Sequence, residues 1–223
     1  MNENVLTKIA QCVEKGKIDK KSPHPPEMQG MDGADELTAL ALESGIPPRD
    51  ILSHSLIEGM KVVGEKFRNN ELYLPDVLMS ARAMTAAMEH LRPFFTSGSV
   101  QYRGKIVIGT VAGDLHDIGK KIVGMFFEGG GWEVIDCGVD VSEPQFLQSI
   151  EEHSPDAVGL SALLTTTMVN MDSIVQGIKA KFPKVKVIVG GAPVTDNFAF
   201  KIGADFYSPD PQGALDRLSP DGQ

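Results

Sequence analysis

The sequence predicts two units in tandem: a four-helix bundle over residues 1–97 and a doubly wound sheet of five parallel strands over residues 98–223. Three observations carry that prediction. Apolar residues recur at helical spacing from Asn4 to about Phe95. From Gly104 onward, short apolar runs rich in valine and isoleucine alternate with helical patterns. The polar stretch Thr96–Gln101 reads as a linker between the two halves.

The helices follow in order. Val5, Leu6, Ile9 and Val13 form one helix face, which breaks at Gly16. Residues 20–31 hold Pro23, Pro25 and Pro26 and cannot continue as helix. A second helix is expected over Glu36–Ser44, capped by Asp32 or Asp35 and ended by Gly45 and Pro47-Pro48. The third, Arg49–Phe67, places Ile51, Leu52, Leu56, Met60, Val63 and Phe67 on one stripe. A fourth starts near Leu74-Pro75, with proline in the first turn, and carries Val77, Leu78, Ala81, Met84, Met88 and Leu91. Mostly short connections imply a small antiparallel bundle.

In the second half, strands are expected at Lys105–Val111, Glu133–Cys137, Ala157–Leu160, Val185–Val189 and Ala204–Tyr207. Helices are expected at Gly119–Glu128, Glu143–His153, Met168–Phe182, Asp196–Ile202 and Gly213–Leu218, with residues 219–223 frayed. Strict alternation with short loops specifies parallel strands and right-handed crossovers.

The bulk properties narrow the function classes. A net charge of −9 argues against nucleic acid as the main partner, because phosphate binding needs clustered lysine and arginine. No apolar run is long enough to span a bilayer, and no signal peptide is expected, since Lys8, Glu14 and Lys15 interrupt the apolar positions near the start. Cys12 and Cys137 form no metal or redox spacing, which suits a cytoplasmic protein with reduced thiols.

The chemistry-bearing stretch is Asp114-Leu115-His116-Asp117-Ile118-Gly119, between the first strand and the helix after it. A histidine at the carboxyl end of a parallel strand projects into the crevice where open α/β sheets bind ligands. Asp114 can accept a bond from one ring nitrogen, fixing the tautomer and raising the basicity of the other. Two more loops share that edge: Ser161-Ala162-Leu163 after the third strand and Gly190-Gly191 after the fourth.

D-x-H-x-x-G, S-x-L and G-G, in this order and spacing, resemble the cobalamin-binding domain shared by methionine synthase and the corrinoid proteins of one-carbon methyltransferases. The resemblance implies a flavodoxin-like fold that binds cobalamin base-off, with His116 as the lower axial ligand to cobalt. It implies a hydrogen-bonded chain of His116, Asp114 and Thr167, where methionine synthase has a serine in place of Thr167. Gly113 to Gly119 (through Leu115, Asp117 and Ile118) are implied to contact the cofactor. So are Ser161, Leu163 and Thr165, with Gly190 and Gly191 lining a slot for the nucleotide tail.

The helical half carries a second likeness. Residues 58–67, 72–77 and 80–84 resemble the cap bundle that precedes this domain in the same family, with Phe67 and Leu74 matching the apolar pair that shelters the methyl group. The proline-rich stretch from Lys17 to Met31 departs from the usual short loop. Together these imply a corrinoid methyl carrier that cycles between methylcobalamin and a Co(I) corrinoid. It would be a non-autonomous subunit serving a donor-specific methyltransferase and an acceptor methyltransferase for tetrahydrofolate or a thiol, with a reductive activator. A cobalamin-dependent sensor shares both domains, but this acidic chain has no basic helix-turn-helix. A mutase subunit shares the three motifs, and Phe67 and Leu74 argue against it.

Overall fold

A computed structural model describes residues 2–218, with the side chains of residues 2–4 outside that description. The expected fraying of residues 219–223 therefore lies outside the described residues. The chain divides into two compact units: Met1–Tyr102 with Gly129–Gly131, and Arg103–Glu128 with Trp132–Gln223.

The first unit is helical: α1 (Asn2–Lys15), α2 (Ala34–Glu43), α3 (Pro48–Ile51), α4 (Ile57–Arg68) and α5 (Leu74–Thr96). The predicted stripes are the core, since Ile9, Val13, Ile51, Leu56, Met60, Val63, Val77 and Leu91 are all buried. Three details differ from expectation. The predicted third helix contains a π-helical turn, Leu52–Leu56, where the Ser55 hydroxyl donates back to the Ile51 carbonyl. The cap of α2 is Gly33, neither Asp32 nor Asp35. A side chain there would collide with the backbone of Ile18 and Asp19 at 2.5 Å, and Glu36 accepts the Gly33 N–H instead at 2.9 Å. Residues 97–100 also fold back on α5, because Val100 is buried and its N–H donates to the Phe94 carbonyl at 3.1 Å.

The proline-rich stretch has a physical account as well. Lys17 is fully buried and its ammonium donates to the Ser22 carbonyl at 2.9 Å. Asp19 Oδ1 accepts the N–H groups of Lys21 and Ser22 at 2.8 and 2.6 Å. A buried cation costs free energy unless it is bonded, so this lysine and its loop order one another.

The second unit is a five-stranded, all-parallel sheet in the order β2-β1-β3-β4-β5: β1 (Lys105–Thr110), β2 (Glu133–Asp136), β3 (Ala157–Ser161), β4 (Lys186–Gly190) and β5 (Phe206–Tyr207). The helices are α6 (Ile118–Gly129), α7 (Glu143–His153), α8 (Thr165–Met168), α9 (Asn170–Lys181), α10 (Asp196–Lys201) and α11 (Pro211–Leu218). The sheet is the one the sequence predicts. Its central strands are apolar on both faces, as a sheet covered by helices requires: Ile106, Val107, Val158 and Val187 are all buried. One predicted helix, Met168–Phe182, begins earlier and is split into α8 and α9 at Val169. The register matters most for function. Thr110, Ser161 and Gly190 pair across the sheet, so β1, β3 and β4 end in one row and deliver their loops to one edge.

Candidate functional site

The loop after β1 is built around a buried carboxylate. Its chain turns at Gly113, whose φ of +80° favours glycine, and it is pinned where the Thr110 hydroxyl donates to the His116 carbonyl at 2.9 Å. Asp114 is completely buried. Its Oδ1 accepts from the His116 backbone N–H at 3.1 Å and lies 2.7 Å from His116 Nδ1. Its Oδ2 accepts from the Thr167 hydroxyl at 2.6 Å and the Leu163 N–H at 2.8 Å. One side chain thus ties the loops after β1 and β3 together.

Burial alone would raise the pKa of Asp114. The donors from Thr167, Leu163 and the ring and amide of His116 outweigh it and hold the carboxyl well below the usual carboxylate range. An ionised carboxylate accepts only, so the proton of the shared bond resides on His116 Nδ1, and in the neutral ring the lone pair is then on Nε2. The His116 side chain is 52% exposed, and Nε2 has no hydrogen-bond partner among the described residues.

Around this ring the surface is unusually apolar. Leu115 (71% exposed), Ile118, Leu163 and Leu164 all present large side chains to solvent, while the N–H groups of Leu163 and Leu164 turn inward to Asp114. Exposed apolar groups concentrated around one free nitrogen mark a binding surface. Next to it, the Ser161 hydroxyl makes no hydrogen bond within the described residues, and Thr165 is exposed at the start of α8. A Cβ added at Gly190 would meet only the Ser208 carbonyl at 3.5 Å, and one at Gly119 would meet nothing within 4 Å. A nitrogen donor, exposed apolar side chains on the same loops and unbonded hydroxyls at Ser161 and Thr165 suit a large flat macrocycle with a polar tail.

Other positions behave differently. Asp117 pairs with Lys121 one turn along α6 rather than with His116. Gly191 has φ +122° and a Cβ there would fall 1.9 Å from the Ala162 carbonyl oxygen, so its lack of a side chain is first a need of the β3 and β4 loops themselves. Thr167 carries a methyl that a serine lacks, and its hydroxyl still donates to Asp114 Oδ2 at 2.6 Å. Phe67 in α4 and Leu74 at the start of α5 are both half-buried members of the helical unit. Sequence reasoning missed Thr110, Asn170, whose Nδ2 donates to the Ala112 carbonyl at 2.8 Å, and Asp140, whose Oδ1 accepts the Gly113 N–H at 2.6 Å. Thr110 ends β1 and Asp140 lies in the loop after β2, but neither belongs to a motif that marks it.

The comparisons agree with this geometry. A B12 binding domain family matches residues 104–215, and a second B12 binding domain family matches residues 31–92. Over 189 residues the chain is 40% identical to trimethylamine corrinoid protein 2 of Methanosarcina acetivorans, covering 83% of this chain and 87% of the relative. It is similar to the crystal structure of a novel cobalamin-binding protein from Desulfitobacterium hafniense, at 30% identity and a TM-score of 0.74 over 94% of this chain and 95% of that one. It is also similar to the methanol:cobalamin methyltransferase complex of Methanosarcina barkeri, at 27% identity and a TM-score of 0.78 over 95% of this chain and 76% of that one. Among the described residues no helix is long and apolar enough to cross a membrane. With three co-spaced loops on one sheet edge, two matching domain families and relatives that cover most of its length, the chain belongs to the cobalamin-binding corrinoid proteins of methyltransferase systems.

Proposed function

We propose that the chain is a methyl carrier that binds cobalamin base-off, with His116 as the lower axial ligand. The observation that supports this best is the His116 ring, with Nδ1 2.7 Å from a buried carboxylate and Nε2 free. Ligation requires neutral imidazole with an available lone pair. Asp114 holds the tautomer that supplies it, and Thr167 and Leu163 hold Asp114 in turn. When bound, cobalamin supplies the chemistry, a cobalt centre able to accept a methyl group and give it up again. The chain's own residues would hold that centre: the Gly113–Gly119 loop would contact the corrin, and Ser161, Leu163, Thr165, Gly190 and Gly191 would contact the nucleotide tail.

The partners on this reading are a donor-specific methyltransferase, an acceptor methyltransferase for tetrahydrofolate or a thiol, and a reductive activator, all in the cytoplasm. Relatives named for trimethylamine and dimethylamine support a methylated amine as the donor class. The test is transfer of label. Protein charged with methyl-labelled cobalamin should retain its label alone and pass it to tetrahydrofolate or a thiol when the acceptor methyltransferase is added. Retention of label with every acceptor enzyme would contradict the carrier role.

Two expectations follow for the binding surfaces. Gly190→Leu adds a side chain at a position whose Cβ makes only an ordinary contact, 3.5 Å from the Ser208 carbonyl, and which is not among the glycines of positive φ. Cobalamin affinity should fall by at least about tenfold, or 1.4 kcal/mol, in a hydroxocobalamin titration of folded protein. Phe67→Ala or Leu74→Ala should speed photolysis of bound methylcobalamin while leaving its affinity nearly unchanged. Equal photolysis rates would reduce both residues to packing of the helical unit.

A further inference from the structure

We propose that Asp140 is a positioning residue for His116, acting through a two-bond clamp on the Gly113–Asp114 peptide. The inference rests on His116 being the nitrogen donor and adds a part of the site that none of the three motifs contains. Asp140 lies in the loop between β2 and α7, 26 residues after Asp114 in the chain. Its Oδ1 accepts the Gly113 N–H at 2.6 Å, and its own N–H donates to the Asp114 carbonyl at 3.0 Å. The two bonds bracket the Gly113–Asp114 peptide. They fix the direction in which the Asp114 side chain leaves the backbone, and that direction decides whether its carboxylate reaches His116 Nδ1.

The same loop holds the far end of the segment. Asp136 Oδ1 takes the ammonium of Lys120, which is 3% exposed at the first turn of α6, and also the Gly138 N–H at 2.8 Å. The Gly138 carbonyl accepts the Thr110 N–H at 3.0 Å, and Val141 bridges back to Val111. Residues 136–141 therefore grip the His116 loop before Asp114 and after Gly119. The backbone of Asp140 has φ +55°, a left-handed conformation that aspartate and asparagine tolerate and glycine prefers. The hydrogen bonds that Asp140 makes to Gly113 and Asp114 offset the conformational cost of that turn.

The left-handed geometry makes the test clean. Asp140→Gly removes the carboxylate while suiting the backbone, and Asp140→Asn keeps an acceptor oxygen in place. In the full chain without cobalamin, nitrogen-15 NMR at mildly alkaline pH should show one Nδ1–H tautomer of His116 in the wild type. Asp140→Gly should give a mixture of tautomers, with exchange of the Gly113 amide faster by at least about tenfold, at a nearly unchanged unfolding midpoint. Asp140→Asn should restore both. If Asp140→Gly keeps the single tautomer and slow amide exchange, or if Asp140→Asn fails to rescue it, the positioning role is overturned. The readouts need no cofactor, so that failure leaves His116 ligation untouched. A wild-type holoprotein lacking a histidine nitrogen on cobalt would instead sink the ligand reading while leaving the clamp intact.

Discussion

Gly191→Ala should destabilise the α/β unit by about 3 kcal/mol or more, because a forbidden backbone conformation and a backbone collision act together. The φ of +122° suits glycine, and the added Cβ would lie 1.9 Å from the Ala162 carbonyl oxygen. The backbone fixes the position of the Cβ and its partner is a main-chain oxygen, so no rotamer change relieves the contact. To make room, the loops after β3 and β4 must separate, breaking the 3.3 Å bond from the Ala162 N–H to the Gly190 carbonyl. Ser161 and Leu163 flank Ala162, so cobalamin affinity should fall with stability. Gly190→Ala is the control: its Cβ would stand 3.5 Å from the Ser208 carbonyl, an ordinary contact. Urea denaturation of both variants measures the difference, and equal midpoints would mean the two loops can part without cost.

The second large effect is expected at Asp114. Asp114→Asn replaces a carboxylate that accepts on both oxygens with an amide that accepts on one. Whichever way the amide turns, its NH2 faces a backbone N–H, that of His116 or that of Leu163. A buried donor left unsatisfied costs about 1–3 kcal/mol, and here the new NH2 adds a repulsive pair. The pH dependence gives the signature. Because Asp114 is held well below its ordinary value of 3.8 in the folded chain, its ionised form stabilises the fold fully above that value. As pH falls below 3.8, the unfolded chain takes up the proton first and that stabilisation drains away. The gap between wild type and Asp114→Asn should therefore be widest near neutral pH and narrow in acid. A gap that stays constant from neutrality to pH values below 3.8 would show that the charge on Asp114 does not stabilise the fold.

Some of this architecture was plain in the sequence, for local reasons. The helix expected at Glu143–His153 forms over those same residues, where Ser142 and Gln145 make a capping box and Ser154 ends it in a left-handed turn. The sheet was legible because its strands are short apolar runs that alternate with helices. The Asp114–His116 contact spans two residues and follows from their spacing on a strand-end loop. What escaped depends on distance along the chain. The Gly33 cap follows from packing against residues 18 and 19, and Asp140 meets Gly113 only because β1 and β2 are neighbours in the sheet. The π-helical turn at Leu52–Leu56 leaves the apolar stripe intact, so periodicity passes over it.

The ligand of cobalt is the centre of this account, and one spectrum addresses it directly. Full-length protein labelled with nitrogen-15 histidine is loaded with cobalamin of natural isotopic composition, reduced to Co(II), and examined by electron paramagnetic resonance. Nitrogen-15 has nuclear spin one-half and nitrogen-14 has spin one. Coordination by His116 predicts cobalt lines split into doublets, becoming triplets in unlabelled protein and losing the splitting in His116→Ala. Triplets in the labelled protein would mean that the cofactor keeps its own benzimidazole, and that result would contradict the role assigned to His116.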